Sequence, residues 1–193
     1  MNLIPTRVCD VFILEPAVFG DERGWFTESW SEREMERNGL YYRFVQDNHS
    51  FSAKKGTLRG LHVQKGDQAQ AKLVRCVRGA VFDVAVDLRK GSPTYLSWVG
   101  AELSAENKRQ LMIPRGFLHG FVTLTDDVEF LYKADRFYCR DAEATVIWND
   151  PDIGIQWGEK NPIINEKDAL GKRVADIDFG FVYSGTKEEN RTT

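Results

Sequence analysis

The stretch Leu73–Leu88, LVRCVRGAVFDVAVDL, decides the fold. It is rich in β-branched residues and alternates apolar with polar or small residues around Val81, Asp83, Ala85 and Asp87. A period of two sends successive side chains to opposite faces, which is the pattern of a strand with one face in a core. Working outward, Lys90 to Pro93 (KGSP) reads as a turn, and Tyr95–Leu103 and Gln110–Ile113 read as strands, the second ending at Pro114. Further strands are expected at Gly120–Leu124, Val128–Lys133 and Ala144–Trp148, the last closed by NDPD at Asn149–Asp152. Short strands with turn signals every ~8–12 residues favour a β-sandwich, jelly roll or barrel over alternating βαβ units. One helix is signalled near Met35, with Ser31 and Glu34 as a capping box and Gly39 as its stop. No internal repeat interrupts this order. The chain reads as one β-rich domain over residues 1–183, with a polar tail over 184–193.

Composition narrows the function classes. The 193 residues are 42% apolar and 12% aromatic, which suits a packed domain with pockets. A net charge of -3 offers no broad basic surface, so a nucleic-acid partner is not expected. Any phosphate site must be local, built from a few Arg and Lys side chains. Met1–Asp10 lacks the apolar core of a secretory signal, and no apolar run reaches the ~20 residues needed to span a bilayer. Cys9, Cys76 and Cys139 are odd in number and show no CxxC spacing. Reduced thiols in a cytoplasmic protein are the natural reading. Cys76, within a strand, reads as an inert buried thiol.

The region from Gly56 onward carries chemistry. Gly56-x5-His62-x-Gln64, followed by Lys72-x6-Gly79, has the frame of the first cupin motif, and Pro114-x-Gly116-x2-His119 that of the second. In such barrels this frame presents histidines and a carboxylate to a metal. Here Gln64 stands at a histidine position and Lys72 at the carboxylate position, with a looser spacing between them. A cation repels a divalent metal, and two histidines fall short of the three ligands a catalytic site needs. No metal is expected. A lone histidine beside a glycine turn is more often structural than catalytic, but two of only three histidines fall on motif positions. A histidine and Lys72 pointing into one barrel suit a base and a partner for an oxyanion.

Beyond these motifs, LRGLHVQ (Leu58–Gln64), VQDNHS (Val45–Ser50) and AKLVRCVRGAVFDVAVDLR (Ala71–Arg89) closely resemble the dTDP-4-dehydrorhamnose 3,5-epimerase family. So do LSAENKRQLMIPRGFLHGF (Leu103–Phe121), EFLYK (Glu129–Lys133), IWNDPDIGIQW (Ile147–Trp157) and EKD (Glu166–Asp168). The likeness begins near ILEPAVFGDERGWF (Ile13–Phe26) and covers most of the chain. It implies a homodimeric cupin-type double-stranded β-helix, a jelly roll with a few short helices, that needs no cofactor. The implied substrate is a dTDP-linked 4-keto-6-deoxyhexose whose product leads towards dTDP-L-rhamnose. By resemblance His62 is the general base, oriented by Asp168, Tyr132 is the acid on the opposite sugar face, and Lys72 sits near the keto oxygen. The same likeness makes Arg23, Arg59 and Lys167 candidates for diphosphate or hydroxyl groups. It adds Glu28, Gln46, Asp47, Asn48 and Glu143 as ligand contacts, His119 as a lining of the sugar site, and Tyr138 as the ring that stacks on thymine. Phe12, Phe26, Phe82 and Trp148 read as core packing. Three positions depart from the family pattern: Asn165 for Ser, Leu96 for Gly, and Thr145 near a usual Gly.

The chemistry agrees with these roles. Removing a proton beside a ketone leaves an enolate, so the main task is to stabilise negative charge on oxygen, which a pre-positioned ammonium does. Imidazole has a pKa near working pH, and a buried carboxylate sets its tautomer. Inversion requires a second acid on the other face. Two enzymatic alternatives are an epimerase acting at C3 or C5 alone, or one for a related 4-keto sugar nucleotide. A non-catalytic sugar-nucleotide-binding cupin is a third, disfavoured because binding alone needs no matched acid and base. A metal-dependent oxygenase is disfavoured by Gln64 and Lys72.

Overall fold

The computed structural model describes residues 1–185. Among the described residues thirteen strands and two short α-helices follow in order: β1 (Asn2–Pro5), β2 (Phe12–Glu15), β3 (Val18–Asp21), β4 (Gly24–Thr27), α1 (Glu32–Arg37), β5 (Gln46–Ser52), β6 (Leu58–Gln64), β7 (Lys72–Arg78), β8 (Ala80–Asp87), β9 (Trp98–Ser104), β10 (Gln110–Ile113), β11 (Phe117–Thr123), β12 (Val128–Ala134), β13 (Glu143–Thr145) and α2 (Glu166–Ala169). One sheet runs β1-β2-β10-β7-β12-β5, the other β13-β6-β11-β8-β9, and every strand pair is antiparallel. The fold is a jelly roll, as the sequence predicts.

The deciding stretch is two strands rather than one. Gly79, at φ 73°, breaks it, and β7 belongs to the first sheet while β8 belongs to the second. A Cβ at Gly79 would fall within 2.9 Å of the Val128 side chain, so glycine is required for the crossing on both backbone and packing grounds. The two sheets then close on one another. Val74, Cys76, Leu111, Ile113 and Phe130 of the first meet Val81, Ala85, Leu103, Phe117 and Phe121 of the second in a shared interior cluster. Outside the second sheet, Leu61, Val63, Val84 and Leu118 are covered by Ile153, Trp157, Val174 and Phe179 from the C-terminal segment. Outside the first, Leu14, Leu73 and Met112 are covered by Met35 and Leu40. Phe12, Phe82 and Trp148 join these outer clusters, as expected of core residues.

Several expected boundaries move, each for a local reason. The strand expected from Tyr95 starts at Trp98, because Tyr95 N–H closes a turn onto Ser92 and Leu96 adopts φ 58°. The strand expected from Gly120 begins at Phe117, so the Pro-Gly-His motif leads into a strand, not a loop, and His119 lies within it. The strand expected over Ala144–Trp148 pairs only at Glu143–Thr145, after which Val146 bridges to Lys172. Ser31 does cap α1, but its side chain makes no capping hydrogen bond, so the capping box is not formed. Phe26 is not core: it is 69% exposed on β4, which pairs only with β3 in a hairpin outside the barrel. Of the expected tail over 184–193, residues 186–193 lie outside those described. No helix among the described residues is long and apolar enough to cross a membrane.

Candidate active site

Strand alternation, which fills the barrel with apolar side chains, also fills one part of it with ionisable ones. On β7, Val74 and Cys76 point inward, and Lys72 shares their phase. On β8, Asp83 falls between the inward Val81 and Ala85. On β11, His119 lies between the inward Phe117 and Phe121, and on β12, Tyr132 follows Phe130. On β6, Leu61 and Val63 pack outward, so His62 and Gln64 face the opposite side. His62 and His119 are directly paired across β6 and β11.

His62 Nε2 lies 2.7 Å from Asp168 Oδ1. Ionised Asp168 can only accept, so Nε2 carries the hydrogen and Nδ1 is left as the basic nitrogen. Asp168 is almost wholly buried on α2, and its Oδ2 accepts the Gly60 N–H at 3.0 Å. Burial by itself would raise this carboxyl, but the bonds from His62 and Gly60 outweigh burial and hold it below the usual carboxylate range. Asn165 caps α2, its side chain accepting the Asp168 N–H at 2.7 Å. At Gly60, φ is 121° and a Cβ would come within 2.7 Å of the Gly120 backbone, so two glycines let β6 and β11 approach beside the dyad.

A second pair lies deeper. His119 Nε2 is 2.9 Å from Asp83 Oδ2, and both residues are buried. Burial pushes His119 down and Asp83 up, each opposed by the other. Burial also pushes the Lys72 ammonium down to about 8, against the pull of the Asp83 and Glu143 carboxylates. Lys72 Nζ stands 5.6 Å from the centre of the Tyr132 ring. Burial raises the Tyr132 phenol, and Glu143 and Tyr138 add to the effect. These groups therefore come from facing walls, His62 from one sheet and Tyr132 with Lys72 from the other.

Around this centre Glu143 Oε2 accepts from Lys167 Nζ at 2.6 Å and from the Tyr138 hydroxyl at 2.9 Å. Burial would raise Glu143, but these two bonds win and lower it. On β5, Gln46 Nε2 donates to Asn48 Oδ1 at 2.9 Å, and Asp47 pairs with Lys133 at 2.9 Å. Arg59 donates to Ser52 Oγ and to the Phe51 carbonyl. Two expected residues stand apart. Arg23 is at the tip of the exposed hairpin, paired with Asp21, and Glu28 lines a separate surface groove with Trp30, Ser31 and Arg33. Gln64 is committed to backbone groups at Gln68, Phe137 and Cys139, and among the described residues no three His, Cys, Asp or Glu side chains gather as a metal-ligand set.

The match to the model of the family described as dTDP-4-dehydrorhamnose 3,5-epimerase spans residues 5–176. A protein of that name from Shigella flexneri is 54% identical, over 93% of this chain and 99% of that protein. The chain belongs to the dTDP-4-dehydrorhamnose 3,5-epimerase family. This epimerase also superposes, at a TM-score of 0.90, on a Legionella pneumophila dTDP-6-deoxy-D-glucose-3,5-epimerase solved with dTDP-4-keto-L-rhamnose. That pair is 45% identical, over 95% of this chain and 99% of the other. A 3′-monoepimerase from Streptomyces bikiniensis, solved with dTDP-quinovose, is 32% identical with a TM-score of 0.82, over 89% and 87% of the two chains.

Of the epimerase's departures from its family pattern, only that at Asn165 has a structural explanation. Leu96 sits at φ 58°, a backbone that favours the usual Gly. Asn165 caps α2 as Ser could, because both side chains accept an N–H. Thr145 lies opposite His62 on β13, where its carbonyl accepts the Lys172 N–H. Sequence reasoning missed Asp83 as a site residue. Its signal was an acid in phase with inward Val81 and Ala85, where an unpaired carboxylate would be costly.

Proposed function

We propose that this isomerase inverts C3 and C5 of dTDP-4-dehydro-6-deoxy-D-glucose, giving dTDP-4-dehydro-L-rhamnose, by proton transfers that need no cofactor. The observation that carries this reading is the facing arrangement of the His62–Asp168 dyad and the Lys72–Tyr132 pair across the barrel. His62 Nδ1 takes the proton from the carbon beside the ketone, and the C–H electron pair moves into an enolate whose oxygen meets the Lys72 ammonium. Asp168 stabilises the imidazolium so formed, since a positive ring beside a buried carboxylate is favoured. Tyr132 then delivers its proton to the other face of the same carbon, inverting it, and the ketone re-forms. A phenol is a weak acid, but an enolate is basic enough to take its proton. Glu143, Lys167 and Tyr138, joined at one carboxylate, suit the nucleotide end of the ligand, with Tyr138 stacking on the base. Arg59, Gln46, Asp47, Asn48 and His119 complete the contacts from β5, β6 and β11.

The same reading makes the enzyme a homodimer of one-domain chains, each domain spanning residues 1–183. Its support is the hairpin β3–β4, where Phe19, Trp25 and Phe26 are 64%, 62% and 69% exposed. A second copy covering that face would remove the apolar surface from water and let Arg23 and Glu28 reach a sugar nucleotide across the interface. Three free cysteines suit the cytoplasm.

The test is incubation with dTDP-4-keto-6-deoxyglucose in D2O, with deuterium followed by NMR at C3 and C5. Incorporation at both carbons, abolished in His62→Ala, is expected. Tyr132→Phe should still exchange protons but form little inverted product. Incorporation at a single carbon would make the enzyme a monoepimerase, and none at either carbon would overturn the reading.

A further inference from the structure

Residues Arg136–Cys139 form an irregular segment between β12 and the turn that leads to β13. Their backbone is held by three glutamine side chains from elsewhere in the chain. Gln70 Nε2 donates to the Arg136 carbonyl at 2.8 Å. Gln64 Nε2 donates to the Phe137 carbonyl at 3.2 Å and to the Gln68 carbonyl at 2.7 Å. Gln46 Oε1 accepts the Tyr138 N–H at 3.1 Å, and Gln64 Oε1 accepts the Cys139 N–H at 2.7 Å. Four consecutive residues thus each give one backbone group to a carboxamide. A primary amide suits this use because it offers two donors and an acceptor in one plane, and a charged side chain of the same length does not.

The cradle also joins the two sheets, since Gln46 lies on β5 and Gln64 on β6. Gln64 is only 5% exposed, while the Tyr138 ring that the cradle carries is 55% exposed. An exposed ring on irregular backbone samples many positions, so fixing its main chain removes an ordering cost that a stacked ligand would otherwise bear. We propose that Gln64, with Gln46 and Gln70, is a positioning residue for the nucleotide: the glutamine cradle sets where the Tyr138 ring meets the base of a pyrimidine nucleoside diphosphate. This rests on the reading of Tyr138 as the base-stacking residue. It also gives Gln64, at a position where cupins place a metal-binding histidine, a different task in the same barrel.

A double-mutant cycle tests it. Gln64→Met keeps the side-chain length and removes the polar contacts, and Tyr138→Ala removes the ring. Calorimetric Kd for dTDP, and kcat and KM for the epimerase reaction, are measured for each single variant and for the pair. Gln64→Met is expected to raise Kd and KM about tenfold while kcat stays within about twofold. In the Tyr138→Ala background the same change should move Kd less than about twofold. Additive effects, or a fall in kcat at constant KM, would overturn the proposal. If Tyr138→Ala alone leaves the dTDP Kd unchanged, the stacking reading fails first and the cradle's role with it. Should Gln64→Met not fold, Gln70→Met enters the same cycle with the same criteria.

Discussion

Under the proposed mechanism Lys72 must be ionised, and burial in the fold opposes that ionisation. The role proposed for it at the enolate oxygen requires the ammonium form, yet burial brings it down to about 8 despite the Asp83 and Glu143 carboxylates. The sign follows directly: as pH rises through about 8 the free enzyme loses that charge. kcat/KM, which reports the free enzyme, should therefore fall on the alkaline side with a midpoint near 8. In Lys72→Arg that alkaline limb should vanish, because a guanidinium does not titrate there, although overall activity will be lower. A profile flat to pH 10 in the unmodified enzyme would remove Lys72 from the enolate site. The cupin frame made His62, His119 and Lys72 legible as candidates in the sequence, and the family resemblance singled out His62 as the base. Asp83 was not, because whether an acid on a strand faces water or a barrel interior depends on which side the second sheet covers. Cys76 fits its sequence reading: burial pushes its thiol up to about 11, which leaves it unreactive.

At the scale of elements, the His62–Asp168 dyad depends on two small devices. One is the capped turn of α2. Replacing Asn165 by Ala removes the acceptor for the Asp168 N–H and should cost about 1 kcal/mol of stability, while Asn165→Ser should restore most of it. Chemical denaturation of the three proteins checks this. The other device is the close approach of β6 and β11 at Gly60 and Gly120. Gly60→Ala would set a methyl against backbone with φ at 121°, a conformation L-residues resist. It should destabilise the protein by more than about 2 kcal/mol, and activity should fall further than the loss of folded protein explains. Thermal unfolding beside specific activity per folded molecule separates the two effects. The strings around these glycines identified the family, but their physical task appeared only when the two strands were seen side by side.

For the whole molecule the telling feature is the hairpin. Phe19, Trp25 and Phe26 lie exposed on a two-stranded ribbon, and such ribbons are marginal in water without a covering surface. If the hairpin forms the proposed dimer interface, changing Phe19 and Phe26 together to Ser should shift the sedimenting species towards monomer in analytical ultracentrifugation. Because Arg23 sits at the tip of this hairpin, KM should rise in the same variant. An unaltered sedimentation coefficient would mean that the hairpin does not form the interface. Phe26 read as core in the sequence because a large aromatic side chain is more often packed than left in water, and nothing local distinguishes a ring covered by its own chain from one left for another.

The sequence by itself determined the strand-rich class and the family, because alternation, glycine turns and ordered motifs are local properties of the chain, and through the family resemblance it named His62, Asp168, Lys72 and Tyr132 as candidates. Only the tertiary structure decided that β7 and β8 part at Gly79 into different sheets, so that His62 and Tyr132 face each other from opposite walls. It alone brought Asp83 to His119, left Arg23 and Glu28 outside the barrel, and gathered three scattered glutamines around four residues of backbone. These are contacts between positions far apart in the chain, and they come from which faces close over one another, something no local pattern encodes.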